Sequence, residues 1–60
     1  MDDDRWITRE ELAQRLQLPV KTLAQWAHLG KGPRYAIFGR HARYCMSDVR
    51  SWEGEQLIAQ

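Results

Sequence analysis

The sequence predicts a mainly α-helical domain that carries one small β-hairpin, and three observations lead there. Thr8-Arg9-Glu10-Glu11 marks a helix start, Pro19 and Gly30 bracket a second apolar-periodic run, and two short aromatic or branched runs flank Gly39. Sixty residues make one domain, expected to span residues 1–60 with a flexible acidic arm over residues 1–5. A chain this short buries only about 60% of the surface that its unfolded form exposes, so a few large side chains must carry much of the core. Trp6, Trp26 and Trp52 are spread along the chain and are expected to be those anchors, since aromatics bury roughly 150–250 Å² each.

The first helix is expected from Ile7 to Leu16. Thr8 and Glu11 form a capping box, in which the hydroxyl accepts from the Glu11 amide and the Glu11 side chain reaches back. Ile7 and Leu12 fall at the positions of a hydrophobic staple. Leu12, Ala13 and Leu16 then form one apolar stripe. Gln17-Leu18-Pro19 interrupts the pattern, and Pro19 is suited to open a second helix. That helix runs from about Pro19 to Leu29, with Leu23, Trp26 and Ala27 inward and Val20 one turn earlier, and stops at Gly30. Two short helices joined by about three residues form a helix-turn-helix unit. After a Lys31-Gly32-Pro33 loop, Tyr35–Phe38 and Ala42–Cys45 flank a turn at Gly39-Arg40-His41, which reads as the hairpin. Ser47 is a good helix cap, and Val49, Trp52 and Gln56 recur at helical spacing, so a third helix is expected from about Asp48 to Leu57.

Charge divides this chain more sharply than its formal +1 suggests. From Leu12 to Ser47 there is no carboxylate, against Arg15, Lys21, Lys31, Arg34, Arg40 and Arg43. All eight acids lie outside: Asp2, Asp3, Asp4, Glu10 and Glu11 before, and Asp48, Glu53 and Glu55 after. Such a one-signed field attracts polyanions and steers them to one face. The flanking acids, on capping and terminal segments, are expected to turn away from that ligand. Cys45 is the only cysteine, so no internal disulfide forms. The N-terminus is acidic where a signal peptide is basic, and no apolar run approaches the ~20 residues of a membrane span. The expectation is a cytoplasmic protein with no membrane partner.

The second helix offers the first candidate surface. Lys21, Ala24, Gln25 and His28 share a face opposite the apolar stripe, with Thr22 at its edge. A glutamine amide can pair with adenine in the major groove, although the same spacing fits an ordinary solvated face. The hairpin adds weight: Arg40 and His41 sit at its tip, and arginine is favoured in narrow minor grooves. Arg43 and Arg34, with Lys31 in the loop, suit phosphates. Catalysis is not expected. His28, His41 and Cys45 make only three N/S donors where a structural zinc takes four, and there is no nucleophile elbow or phosphate loop. No cofactor, metal or small-molecule substrate is expected.

Taken together, Thr8-Arg9-Glu10-Glu11-Leu12-Ala13, Leu18-Pro19-Val20-Lys21-Thr22-Leu23-Ala24-Gln25-Trp26, Gly32-Pro33-Arg34-Tyr35, Phe38-Gly39-Arg40-His41-Ala42-Arg43-Tyr44 and Ser47-Asp48-Val49-Arg50-Ser51-Trp52 resemble a known family. It is that of the small winged helix-turn-helix domains of phage and integrative-element excisionases, shared with AlpA-like regulators and the N-termini of MerR-type regulators. The resemblance covers about residues 6 to 53. It implies a winged helix-turn-helix fold with the second helix in the major groove of double-stranded DNA and the wing against the adjacent minor groove. By position, it implies helix contacts at Lys21, Thr22, Gln25 and His28 and wing contacts at Arg40 and Arg43. Excisionases bind repeated sites near attachment sequences, bend the DNA cooperatively and bias an integrase toward excision. Integrase and neighbouring copies are thus the implied partners, and the bacterial host nucleoid the implied location. Pro19 stands where the family often has Ser or Thr, and Val20 and Ala24 replace basic or aromatic residues. That fits weak single-copy binding amplified by neighbours.

Two other readings remain at this point. One is a small AlpA- or MerR-like transcriptional regulator, although a MerR-type activator is expected to need a dimerisation helix, and usually an effector domain, beyond the winged helix. The other is an interaction module in which Asp2-Asp3-Asp4, or the last helix with Glu53, Glu55, Leu57 and Ile58, docks on a partner.

Overall fold

The computed structural model describes residues 5–58, and the observed order is β1 (Trp6–Thr8), α1 (Arg9–Leu16), α2 (Val20–Leu29), β2 (Ala36–Phe38), β3 (His41–Cys45) and α3 (Met46–Glu55). Three helices and a small antiparallel sheet of strand order β1-β3-β2 make a winged helix-turn-helix. The arm expected at residues 1–5 lies outside the described residues apart from Arg5, whose carbonyl accepts from the Met46 amide at 2.9 Å. Arg5 is thereby tied through its backbone to the first residue of α3, just ahead of β1.

The capping box forms as its residues dictate. The Thr8 hydroxyl accepts from the Glu11 amide at 2.9 Å, and the Thr8 amide donates to Glu11 Oε1 at 2.8 Å. The Thr8 amide first, and then its hydroxyl and the cations Arg5 and Arg43, hold the Glu11 carboxyl below its usual range. Ile7 and Thr8, expected at the start of the helix, instead form a strand with Trp6, which pairs with Cys45, Tyr44 and Arg43. Three residues are too few for a period-two signal, and the partner strand is remote in sequence.

Between α1 and α2 the turn has the expected three residues. Gln17 closes α1 in the left-handed conformation (φ 58°, ψ 45°), its amide reaching Gln14 O at 3.2 Å while the Leu18 amide reaches Ala13 O at 2.9 Å. This is a Schellman closure without its usual glycine. Gly30 closes α2 in the same way at φ 74°, with Gly30 N to Ala27 O and Lys31 N to Trp26 O. Replacing Gln17 by Gly is expected to relieve about 1 kcal/mol of left-handed strain and raise the thermal midpoint; an unchanged or lower midpoint would show no strain there. Pro19 is the residue before α2, extended at φ −63° and ψ 143°, and not its first helical residue.

At the hairpin tip, Phe38 pairs with His41 around a two-residue turn of Gly39 and Arg40. Gly39 has φ 67° while Arg40 does not have positive φ, the combination of a type II′ turn that matches strand twist. His41 is thus the first residue of β3, not part of the turn. The third helix starts two residues before its expected onset and ends at Glu55. Cys45 ends β3 and directly precedes α3, so Ser47 is not a cap; its hydroxyl lies 3.4 Å from the Cys45 sulfur.

The core comprises Ile7, Leu12, Ala13, Leu23, Tyr44, Met46 and Val49, flanked by Leu16 and Trp26. Ile7 and Tyr44 are register partners, so they share the sheet face that α1 and α3 cover. The three-tryptophan core does not hold. Trp6 is half exposed on the opposite sheet face, its ring edge-on to Phe38 at 5.2 Å. Trp26 and Trp52 are half-buried and meet each other at 5.7 Å at the edge of the core. Short aliphatic side chains from four elements fill the centre, and the indoles frame it. Val20, expected near the inner stripe, is also largely exposed.

Candidate nucleic-acid interface

The outer face of α2 is built by its own inner anchor. Leu23 is fully buried, and a helical period then turns Lys21, Ala24, Gln25 and His28 to solvent, all four exposed, with Thr22 half-buried at the edge. Beyond Gly30, Lys31 and Arg34 are exposed on the loop, while Pro33 between them is buried and fixes its course.

The wing stands beside this helix. Ala42 and Ile37 pair on the same sheet face as Tyr44, one step farther from the core, and Ile37 is already 56% exposed. The hairpin therefore projects past the packed helices. Arg40 and His41 are exposed at its tip, and Ile37 and Phe38 flank them as exposed apolar side chains. Arg43 is different: it is half-buried, and its Nη1 donates to the Ala42 carbonyl at 2.8 Å, so its guanidinium is oriented by the wing's own backbone.

A groove of about 350 Å³ runs between α2 and the wing. Val20 and Ala24 form one side, Arg40 to Arg43 the other, and Thr8, Arg9 and Glu10 at the start of α1 close its end. Only Arg40, His41 and Arg43 of this lining were expected to contact a ligand; Arg9 and Glu10 are the two charged residues that the sequence did not put forward. Arg9 was read only as part of a helix cap, and the contact that places it, with tyrosines far along the chain, has no local signal. Glu10 corrects the expectation that every flanking acid faces away, since it lines the groove.

The six cations of the acid-free window are not equivalent. Arg15 makes a two-bond pair with Glu53, Nε to Oε2 at 2.7 Å and Nη2 to Oε1 at 3.0 Å, tying α1 to α3. Arg15 in turn holds the Glu53 carboxyl below its usual range. Both partners are thereby withdrawn: Arg15 from a polyanion surface, and Glu53 from the partner-docking surface suggested for the last helix. Leu57 and Ile58 remain highly exposed beyond it. Lys21, Lys31, Arg34 and Arg40 pair with no described carboxylate, and these four lie on α2, its following loop and the wing.

A helix face, a loop and a hairpin that each present cations with no described carboxylate partner suit a winged DNA-binding module. Residues 6–56 match the family model of the helix-turn-helix domain, and the chain belongs to that family of DNA-binding domains. No curated protein and no solved structure matches the chain. Among the described residues, no helix is long and apolar enough to cross a membrane.

Proposed function

We propose that this protein is an excisionase, an architectural factor that binds and bends attachment-site DNA and directs an integrase toward excision. In this reading α2 enters the major groove through Lys21, Thr22, Gln25 and His28, and the wing enters the adjacent minor groove through Arg40, with His41 beside it. Lys31, Arg34 and Arg43 hold phosphates. The protein has no chemistry of its own; it changes the path of the DNA for a recombinase, in the cytoplasm of a bacterial host.

The observation that carries the reading is the wing tip. An exposed Ile37 and a half-exposed Phe38 stand next to Arg40. Minor-groove binders that deform DNA combine cations with apolar wedges that unstack a base step and kink the duplex by about 20–90°. Phe38 is braced by the Trp6 ring on one sheet face, and Ile37, exposed on the other face, is the side chain better placed to act as a wedge. The resemblance to excisionases supplies the rest, including the expectation that copies bind side by side with weak individual affinity.

Footprinting on the genome of origin tests this directly. The expected result is protection of repeated sites near an attachment sequence, bending in a phased gel-shift assay, and stimulation of excision when integrase is added. Protection of a single promoter site without bending would assign the domain to a transcriptional regulator instead. At the residue level, Arg40→Ala is expected to weaken duplex binding by about 1–2 kcal/mol, roughly tenfold. Unchanged affinity in an anisotropy titration would remove the wing from the minor groove.

A further inference from the structure

A helix in the major groove and a wing in the neighbouring minor groove must straddle the sugar–phosphate strand that separates them. The space between the two elements is therefore as much a part of the interface as their tips. Here that space is the groove between α2 and the wing, and its α2 wall is made of the small side chains Val20 and Ala24. They leave room for a strand where longer side chains would fill it.

Arg9 closes this groove from the start of α1, and its placement is built by three separate contacts. Its Nε donates to the Tyr44 hydroxyl at 3.2 Å, and its guanidinium carbon lies 5.4 Å from the Tyr35 ring centre and 5.9 Å from that of Tyr44. The two rings are themselves 5.6 Å apart, and Tyr44 is buried. The arginine is thus held by a tyrosine pair anchored in the core, with Nε occupied and the two Nη groups left for another acceptor. Arg9 also sits at the first position of a helix, where the dipole disfavours a cation. An arginine that a tyrosine pair orients at an electrostatically poor position, with both Nη groups uncommitted, points to a ligand. Against it, Glu10 is the one carboxylate lining the same groove.

We infer that Arg9 is a DNA-backbone contact: it binds a phosphate of the strand passing between α2 and the wing. Tyr35 and Tyr44 are its positioning residues, and Glu10 opposes the same strand and tempers affinity. This rests on the two-groove docking proposed above. Arg9 belongs to the first helix, so the interface draws on a third element and the strand is held at its passage as well as at the two groove insertions. The two adjacent residues then act on binding with opposite signs, which lost folding would not reproduce.

The test compares the wild type with Arg9→Gln, Glu10→Gln and Arg40→Ala by fluorescence anisotropy on a short labelled duplex over a salt series, with thermal melts of each protein. Glutamine at position 9 keeps an N–H donor without the charge. The expected result is that Arg9→Gln makes the log–log salt slope shallower by about 0.9 and weakens binding roughly eightfold at 0.1 M salt, as loss of one phosphate contact requires. Glu10→Gln is expected to tighten binding about two- to threefold, the scale of one exposed charge interaction. The inference falls if Arg9→Gln leaves affinity and slope unchanged, or weakens binding with an unchanged slope and a lower melting point. It also falls if Glu10→Gln does not tighten binding. If affinity depends on Arg40 but not Arg9, the docking stands and the inference alone is lost. If the wild type does not bind, or Arg40→Ala changes nothing, the docking fails and the inference goes with it.

Discussion

Leu23→Ala is expected to leave this domain largely unfolded at 37 °C. Leu23 is 1% exposed and is the only fully buried residue of α2, so it is the side chain that fixes that helix against Leu12 and Val49 in the core. Truncating a buried leucine costs about 2–5 kcal/mol in lost transfer energy and cavity formation. A 60-residue domain holds roughly 3–9 kcal/mol in all, at about 0.05–0.15 kcal/mol per residue. At the middle of these ranges, about 3.5 of about 6 kcal/mol, the substitution removes more than half of the total. For a domain this size each kcal/mol shifts the midpoint by about 4–8 °C, so a loss of 15 °C or more is expected in a melt followed by circular dichroism. DNA binding should fall with it, because Lys21, Gln25 and His28 are aimed by the burial of Leu23. Leu29→Ala provides the contrast: Leu29 is 58% exposed on the same helix, and its loss should move the midpoint by only a few degrees. A Leu23→Ala protein melting beside the wild type would mean that α2 is held from elsewhere, by Trp26 against Trp52.

These residues also show which features could be read from the chain alone. The capping box at Thr8 and Glu11, the Pro19 and Gly30 limits and the polar face of α2 were legible because each depends on residues within one or two turns. The hairpin was legible because a glycine able to take positive φ separates two β-prone runs. What escaped depends on distance in sequence. β1 exists only because Cys45, Tyr44 and Arg43 lie alongside Trp6, Ile7 and Thr8. Trp6 looked like a core residue, yet pairing Ile7 with Tyr44 turns Ile7 inward, and strand alternation then turns Trp6 outward. The same limit applied to the candidate interface. Lys21, Gln25, His28 and Arg40 were found from local spacing and are exposed on the expected elements. Arg9 and Glu10 looked like ordinary first-turn residues until the tertiary fold brought α1 to the groove. Arg15 counted as part of a basic window until Glu53, 38 residues away, claimed it.

That sorting of cations sets the salt dependence expected of DNA binding. Four cations of the window, Lys21, Lys31, Arg34 and Arg40, have no described carboxylate partner and lie on the DNA-facing elements. Each phosphate neutralised on duplex DNA contributes about −0.9 to the slope of log K against log salt. These four contacts give a slope of about −3.6 per copy; Arg43, proposed above to hold a phosphate, makes it about −4.5, and Arg9 about −5.4. At a slope of −3.6, raising salt from about 50 to 200 mM weakens binding roughly 150-fold. Arg15→Gln serves as the internal control. Because its guanidinium is held by Glu53 between α1 and α3, removing it should lower the thermal midpoint slightly and leave the slope unchanged. Lys21→Gln, by contrast, should make the slope shallower by about 0.9. A slope that responds to Arg15 but not to Lys21 would place the DNA on the α1–α3 side of the molecule. A flat slope would rule out phosphate neutralisation as the source of affinity. A slope near −4 that loses one step for each of Lys21, Lys31, Arg34 and Arg40 would define the surface residue by residue, without a known target sequence, because the phosphate term is the same for any duplex.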